Sequence, residues 1–201
     1  MLIEHEGAKP RIAASAYVAP TAVVCGDVVI GDDSRILFHA VVTADGGPVE
    51  IGSRCVVMEH ALVRGRAGHP VEVGDNVLIG PHAHVNGATV GDNCFLATGS
   101  SVFPGARLGT GAELRINGVV HVNSSLPPEA VVPIGWIAVG DPAELLPPEH
   151  HDEIWAIQET LDFPGTVFGI ERLPAQELMP EVMRRYAESF GRHRRDRIIE
   201  P

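Results

Sequence analysis

Lysine is almost absent from this 201-residue chain, which contains Lys9 alone and has a formal net charge of -11. Binding to a phosphate backbone needs a basic surface, so we exclude DNA and RNA as partners. Long apolar runs are missing too: none approaches the roughly 18 residues that cross a bilayer, and residues 1–10 lack the apolar stretch of a secretory signal. We therefore expect no membrane insertion and a cytoplasmic location.

Cysteine is sparse. Cys25, Cys55 and Cys94 are odd in number and lack the short paired spacing of zinc-binding cysteines. Neither a disulfide framework nor a paired-cysteine zinc site is expected, and we interpret all three as small core residues.

Aliphatic residues recur at every sixth position, a period that fits neither a helix nor a simple strand. The first register comprises Val18, Val24, Ile30, Ile36, Val42, Ile51, Val57, Val63, Val73, Ile79 and Val85. The second comprises Val90, Leu96, Val102, Leu108, Leu114, Val120, Leu126 and Val132. We call these residues the anchors.

Most anchors are followed, four positions later, by a small residue. This second column comprises Ala22, Ser34, Ala40, Cys55, Ala61, Ala83, Cys94, Ser100, Ala106, Ala112, Gly118, Ser124 and Ala130. One large apolar and one small inward residue per six suit a short strand plus a corner, with three units making one triangular coil. The pattern predicts an all-β solenoid, a left-handed parallel β-helix of hexapeptide repeats. A β-sandwich would not hold a strict six-residue phase for so long.

Two insertions, Thr43 to Glu50 and Arg64 to Glu72, interrupt the repeat and are candidate functional loops. We place the β-helix domain at residues 1–147 and a helical extension at 148–201. Helices are predicted from Pro148 to about Leu161 and from about Pro180 to Phe190, where apolar residues recur at helical spacing. The arginine-rich tail from Arg192 to Arg197 is interpreted as a solvated end. The histidines outside the repeat are interpreted as surface residues: His5, His150, His151 and His193.

The segments "AYVAPTAVVCGDVVIGDDSRI", "IGSR", "VEVGDNVLIG" and "VGDPAEL" resemble the γ-class carbonic anhydrases over about residues 10 to 147. The resemblance implies homotrimers of left-handed β-helices, with zinc held between subunits by three histidines. Hexapeptide acyltransferases share the repeat, so the resemblance is more specific for fold than for function.

The three positions that the resemblance assigns to zinc ligands hold Arg64, Pro81 and Asn86. Proline has no side-chain donor atom and arginine does not deprotonate, so we predict no zinc at these family positions. Of the family's supporting polar residues only Asp45 matches, because Thr43, Val56 and Met58 occupy the others. Without bound metal to lower the pKa of water, we expect no CO2 hydration.

Rotating the anchors over three faces places Thr43, Arg64, Asn86, Phe103 and His121 in one outward column, which we call the outer column. His84 points outward on the same face, and His69 lies in the adjacent loop. Together with Asp45, the residues Arg64, His69, His84 and Asn86 form our candidate catalytic or binding set for a small anion. Alternatively, Arg64 makes an intersubunit ion pair and Asn86 continues a ladder of hydrogen bonds.

His39, His60 and His82 each follow an anchor by three positions on one face, so we expect them to stack at a corner of successive coils. Three neutral imidazoles could hold zinc, which makes this histidine stack a possible relocated metal site. The alternative is an incidental, solvent-exposed column.

Three functions fit the sequence, and we leave open whether the protein is an enzyme. The first is a γ-carbonic-anhydrase-like homotrimer without CO2 hydration that binds or transforms a small polar or anionic ligand at a subunit interface. The second is an acyl-CoA-dependent acyltransferase with His69 as general base. The third is a noncatalytic trimeric scaffold.

Overall fold

The computed structural model describes residues 1–171 and 173–199, and the first two thirds of the chain form strands of two to five residues. In chain order the strands are β1 (Leu2–Glu4), β2 (Arg11–Ile12), β3 (Tyr17–Val18), β4 (Val23–Cys25), β5 (Val28–Ile30), β6 (Arg35–Ile36), β7 (Val41–Asp45), β8 (Val49–Ile51), β9 (Val56–Val57), β10 (Leu62–Arg66), β11 (Val71–Val73), β12 (Leu78–Ile79), β13 (His84–Asn86), β14 (Thr89–Val90), β15 (Phe95–Leu96), β16 (Ser101–Val102), β17 (Arg107–Leu108), β18 (Glu113–Leu114), β19 (Val119–Val120), β20 (Ser125–Leu126), β21 (Val131–Val132), β22 (Ile137–Val139), β23 (Glu144–Leu146) and β24 (Arg197–Ile199).

The strands form three sheets that make the faces of a triangular parallel solenoid. Two sheets have seven strands each, in the orders β2-β5-β8-β11-β14-β17-β20 and β21-β18-β15-β12-β9-β6-β3. The third has ten, in the order β23-β22-β19-β16-β13-β10-β7-β4-β1-β24. Each coil gives one strand to each sheet and pairs with the next coil, which confirms the predicted β-helix of hexapeptide repeats.

The core lies inside the triangle, and the two inward columns fill it as predicted. Val42 pairs in register with Val63, and Val63 pairs with Val85, so the anchors stack along the axis. The small polar members of the core have partners: the Ser34 hydroxyl donates to the Gly52 carbonyl and accepts from the Cys55 amide. All three cysteines are free and buried, as expected.

The helices follow the solenoid. They are α1 (His151–Gln158), α2 (Phe163–Phe168) and α3 (Ala175–Phe190), with short 3-10 helices at Glu159–Leu161 and Gly191–Arg195. Helix α1 with its 3-10 turn confirms the first predicted helix. The start predicted for the second helix at Pro180 is wrong, because α3 begins at Ala175 and Pro180 lies inside it, where the missing N–H removes a single helical hydrogen bond. The proposed division at residue 147 falls between β23 and α1.

The C-terminal segment folds back over the ten-stranded sheet. The Phe163 ring packs against Phe103 and His121 of the outer column, at centroid distances of 6.3 and 5.7 Å. The Arg64 guanidinium lies 5.7 Å from the centre of the Phe190 ring. The resemblance to a trimeric family places Arg64 and Asn86 of the outer column at a subunit interface. In this structure the chain's own helices cover that column.

The interpretation of His5 as a surface residue is wrong, and the tail is not an unattached end, although Arg194, Arg195 and Arg197 are exposed and His193 is 34% exposed. Strand β24 pairs antiparallel with β1 at the sheet edge. His5 is only 3% exposed, and its ring stacks on that of His193 at 4.4 Å. His150 and His151 are exposed, as expected. Within residues 1–171 and 173–199, no helix has the length and apolar character needed to cross a bilayer.

Candidate functional site

Both insertions lengthen a strand of the ten-stranded sheet beyond the corner of the coil. Strands β7 and β10 stay paired to their ends, where Arg66 lies opposite Asp45. Gly65 makes this possible, since a Cβ there would lie 2.2 Å from the Gly47 carbonyl oxygen. The chain then turns back so that the amides and carbonyls of Arg66 and His69 exchange hydrogen bonds. The insertions thus hold Asp45, Arg64, Arg66 and His69 at one end of the sheet.

The outer column has the predicted register, with Thr43 opposite Arg64 and Arg64 opposite Asn86. Two of the three positions corresponding to family zinc ligands are therefore neighbours. The side chains do not fit the metal: Arg64 carries a permanent positive charge, and Pro81 offers no donor. The Asn86 side-chain oxygen is buried without a hydrogen-bond partner, but a lone amide oxygen is no zinc site. No chemical step can be assigned to zinc at these positions.

A cleft of about 210 Å³ separates the extended ends of β7 and β10 from α2 and α3. Phe168 and Phe190 form part of its apolar surface. Its polar lining comprises Asp45, Arg64, Arg66, His69, Thr166, Tyr186, Ser189 and Arg192. The described lining thus holds three guanidinium groups and one carboxylate, and Arg192 also pairs with Glu6, outside the lining, at 3.1 Å. With Arg192 paired in this way, the lining still carries net positive charge in a chain whose net charge is negative.

Asp45 lies at the centre of this charge distribution and is 8% exposed. Its carboxylate oxygens are 4.0 Å from the Arg64 Nε and 3.9 Å from the nearest Arg192 nitrogen, beyond hydrogen-bond distance. The Asp45 Oδ1 and the Arg64 Nε are both buried, and neither has a hydrogen-bond partner within residues 1–171 and 173–199. Buried polar atoms are nearly always satisfied in folded proteins, so these groups have unused capacity for a ligand.

The two histidines of the predicted set differ in position. His69 lines the cleft, while His84 packs edge-on against Phe103 at 6.0 Å, away from the cleft lining. Burial, and secondarily the Arg66 charge, lowers the pKa of His69. Burial and the Arg64 and Arg66 charges lower the pKa of His84. Both imidazoles are therefore predominantly neutral near pH 7, and His69 can accept a proton in the cleft.

The histidine stack forms as expected. The His39 and His60 rings lie 5.1 Å apart, His60 and His82 lie 5.0 Å apart, and their planes differ by 11° and 4°. All three occupy left-handed corner positions, with φ between 57° and 62°. Lone pairs lie in the ring planes, so three parallel imidazoles spaced in this way do not converge on one tetrahedral ion without turning.

Several cleft residues were not anticipated from the sequence. Arg66 lies inside the second insertion without a motif of its own, Tyr186 belongs to the second predicted helix, and Arg192 begins the arginine-rich tail. Thr166 and Ser189 carry no recognisable motif. The clustering of arginine at 192–197 in an otherwise acidic chain was the one signal available for the tail.

The comparisons with known proteins agree with this fold. The sequence profile of the family described as "Bacterial transferase hexapeptide (six repeats)" matches residues 70–104. A "Carbonic anhydrase" of Geobacillus kaustophilus is 30% identical over 111 residues, covering 55% of this chain and 61% of the relative. A "Gamma carbonic anhydrase 1, mitochondrial" of Arabidopsis thaliana is 31% identical over 158 residues, covering 75% of this chain and 55% of the relative.

Both matched segments thus span less than two thirds of these relatives. Among solved structures, a hexapeptide transferase family protein from Anaplasma phagocytophilum has a TM-score of 0.56 at 22% identity, covering 95% of this chain and 97% of its own. At that identity the likeness supports the fold alone.

Proposed function

Because the chain is a hexapeptide-repeat protein that resembles the γ-class carbonic anhydrases, we propose that it retains their scaffold, lacks CO2 hydration and binds a small organic anion in the cleft. The observation that carries this proposal is the arrangement of Arg64, Arg66 and Arg192 around a cleft that contains one carboxylate. Guanidinium groups bind carboxylates through paired, charge-assisted hydrogen bonds.

The chemistry of the lining indicates what kind of anion would fit. A carboxylate would accept from Arg64, which faces Asp45 at 4.0 Å, and from the Arg192 N–H groups that remain after its ion pair with Glu6 at 3.1 Å. The hydroxyl groups of Tyr186 and Ser189 also line the cleft, where the Ser189 hydroxyl accepts from Arg192 at 3.0 Å, and they suit a second polar group on the ligand. A volume of about 210 Å³ favours a ligand of few heavy atoms. A compact dicarboxylate or hydroxycarboxylate meets these requirements.

A second candidate, acyl transfer from an acyl-CoA, is favoured by one observation. His69 lines the cleft, and its lowered pKa suits a general base that accepts the proton of an attacking hydroxyl or amine. The similarity of this chain to the Anaplasma hexapeptide transferase family protein supports the fold on which such chemistry occurs, not the reaction.

The proposal also covers the oligomeric state of the protein and its location in the cell. We propose a homotrimer in the cytoplasm: the trimer on the resemblance to a trimeric family, and the location on the three free, buried cysteines, which are typical of a reducing compartment. If neither an anion nor an acyl-CoA binds, the noncatalytic trimeric scaffold is the function that fits best.

The test is a thermal-shift screen of the full chain against acetate, malonate, phosphate, CoA and acetyl-CoA, followed by calorimetric titration. We expect malonate to stabilise the protein, and Arg192→Gln to weaken its binding by about 10- to 150-fold, since a charge-assisted hydrogen bond contributes about 1.5–3 kcal/mol. Arg115→Gln is the matched control, because Arg115 is exposed, pairs with Glu113 at 2.7 Å and does not line the cleft.

Equal weakening by both variants, or no binding of any carboxylate, contradicts the proposal. Saturable acetyl-CoA binding together with acetyl transfer that His69→Gln abolishes supports the second candidate instead.

A further inference from the structure

A second cluster of polar side chains lies beyond Asp45, where the tail meets the first coils. His5 follows β1, Cys25 ends β4, and His193 and Asp196 precede β24. One potential ligand atom from each residue lies within 4.8 Å of the others. We call this set the tail cluster.

Two contacts organise the tail cluster around one carboxylate. The Asp196 oxygens lie 2.6 Å from the His5 Nδ1 and 2.8 Å from the His193 Nδ1. The Cys25 thiol is 3.9 Å from the same carboxylate. Four residues from three separate parts of the sequence therefore converge, although nothing in the sequence pairs them.

The environment of the cluster is suited to a cation. His5 and Cys25 are 3% and 4% exposed. The His5 Nε2, on the far side of the ring from Asp196, is buried, lies 3.8 Å from Glu6 and has no hydrogen-bond partner among the described residues. Burial and the Asp196 charge, with a smaller contribution from Asp45, raise the pKa of the Cys25 thiol to about 11. Cys25 is therefore a neutral thiol without bound metal, and the observation that points to a cation is the convergence of four ligand atoms within 4.8 Å of one another.

We propose that His5, Cys25, His193 and Asp196 form a structural zinc site that fastens the C-terminal tail to the first coils of the solenoid. Two imidazoles, one thiolate and one carboxylate are a tetrahedral ligand set that suits zinc, whereas magnesium and calcium prefer oxygen ligands. Zinc–ligand bonds of about 2.0–2.3 Å require the more distant ligand atoms to draw together and the two Asp196–His contacts, at 2.6 and 2.8 Å, to lengthen. The stacked His5 and His193 rings, whose planes differ by 26°, must also turn so that their lone pairs converge. Binding releases to solvent the thiol proton of Cys25 and any proton on a ligating imidazole nitrogen.

This inference does not rest on the anion proposal, although the two sites are adjacent. The His193 Nε2 lies 3.9 Å from the Asp45 Oδ1, and Arg192 contributes to the cleft. Zinc would thus hold one cleft residue in place through its neighbour, while four protein ligands leave no open position for water.

The experiment is a zinc titration of the full chain, stripped of metal and competed against a coloured chelator, with cobalt(II) absorption as an independent readout. We expect one zinc per chain, and cobalt spectra with the intense thiolate-to-cobalt band that only a cysteine ligand gives. Cys25→Ser and His193→Gln should each weaken zinc binding by more than the roughly 10- to 100-fold typical of losing an outer partner.

Two controls separate this site from the alternatives. Cys94→Ser removes another buried cysteine, and His60→Gln disrupts the histidine stack; both should leave the stoichiometry and the cobalt band unchanged. Absence of stoichiometric zinc binding by the unmodified chain overturns the proposal, as does a cobalt complex without the thiolate band. Loss of binding in His60→Gln with retention in Cys25→Ser would assign the metal to the stack.

Discussion

Phe163 packs the C-terminal segment against the solenoid. Its ring contacts Phe103 and His121 on the solenoid and Phe168 within α2, at centroid distances of 6.3, 5.7 and 5.8 Å. Beyond Phe168 the aromatic contacts continue to Tyr186 at 5.9 Å. Replacing Phe163 with alanine therefore removes an aromatic contact with two residues of the outer column, while the contact of Arg64 with Phe190 remains.

The size of the effect follows from burial. A fully buried Phe→Ala change costs about 3–5 kcal/mol. Because Phe163 is half-buried, we expect the substitution to lower the free energy of detaching the C-terminal segment by about 2 kcal/mol. That corresponds to an approximately 30-fold larger population in which the segment is detached. The solenoid should persist, because its core lies inside the triangle and does not include Phe163.

Native-state hydrogen exchange read by mass spectrometry measures both parts of this prediction. Peptides from α3 in Phe163→Ala should exchange about 30-fold faster, and peptides from β12 to β18 should not change. Phe38→Ala is the matched control, since Phe38 is 46% exposed and lies outside these aromatic contacts. Unchanged exchange in α3, or equal acceleration in the solenoid, would show that Phe163 does not specifically hold the C-terminal segment on the solenoid.

Three further predictions follow from the site and the assembly. Stopped-flow assays should detect no CO2 hydration above the uncatalysed rate, with or without added zinc, because Arg64, Pro81 and Asn86 cannot hold the metal; chelator-sensitive hydration would contradict this. Burial lowers the pKa of His121, so the unfolded state takes up its proton first and the free energy of unfolding falls as the pH drops below about 6.5. Between about pH 7.5 and 5.5, the melting temperature should therefore fall less steeply in His121→Gln than in the control His150→Gln. Identical slopes would show that the buried His121 does not cause this pH dependence. Light scattering should give about three times the 21.4 kDa chain mass, and a monomer mass would exclude the homotrimer.

The solenoid could be predicted because its determinants are local and repeated. A residue such as Val63 has the same neighbours as Val42 and Val85, so period and register follow from one rule. The histidine stack was predictable for the same reason, since equal offsets from anchors on one face must align.

The site could be predicted only in part, because half of it comes from outside the repeat. Asp45, Arg64 and His69 follow from the insertions, but Arg192 reaches the cleft through a return of the chain that has no periodic signal. The pairing of β24 with β1 joins residues nearly two hundred positions apart. Contacts of this kind depend on how the helices α1 to α3 pack, and a single sequence does not specify that path.

We propose that the cleft between β7, β10 and α3 is the ligand site of this protein. A crystal structure of the full chain, grown with malonate at a concentration well above its measured dissociation constant, tests this most directly. We expect density for the dicarboxylate within hydrogen-bond distance of the guanidinium groups of Arg64 and Arg192. Density for malonate elsewhere on the solenoid, with only water beside these two arginines, would contradict it.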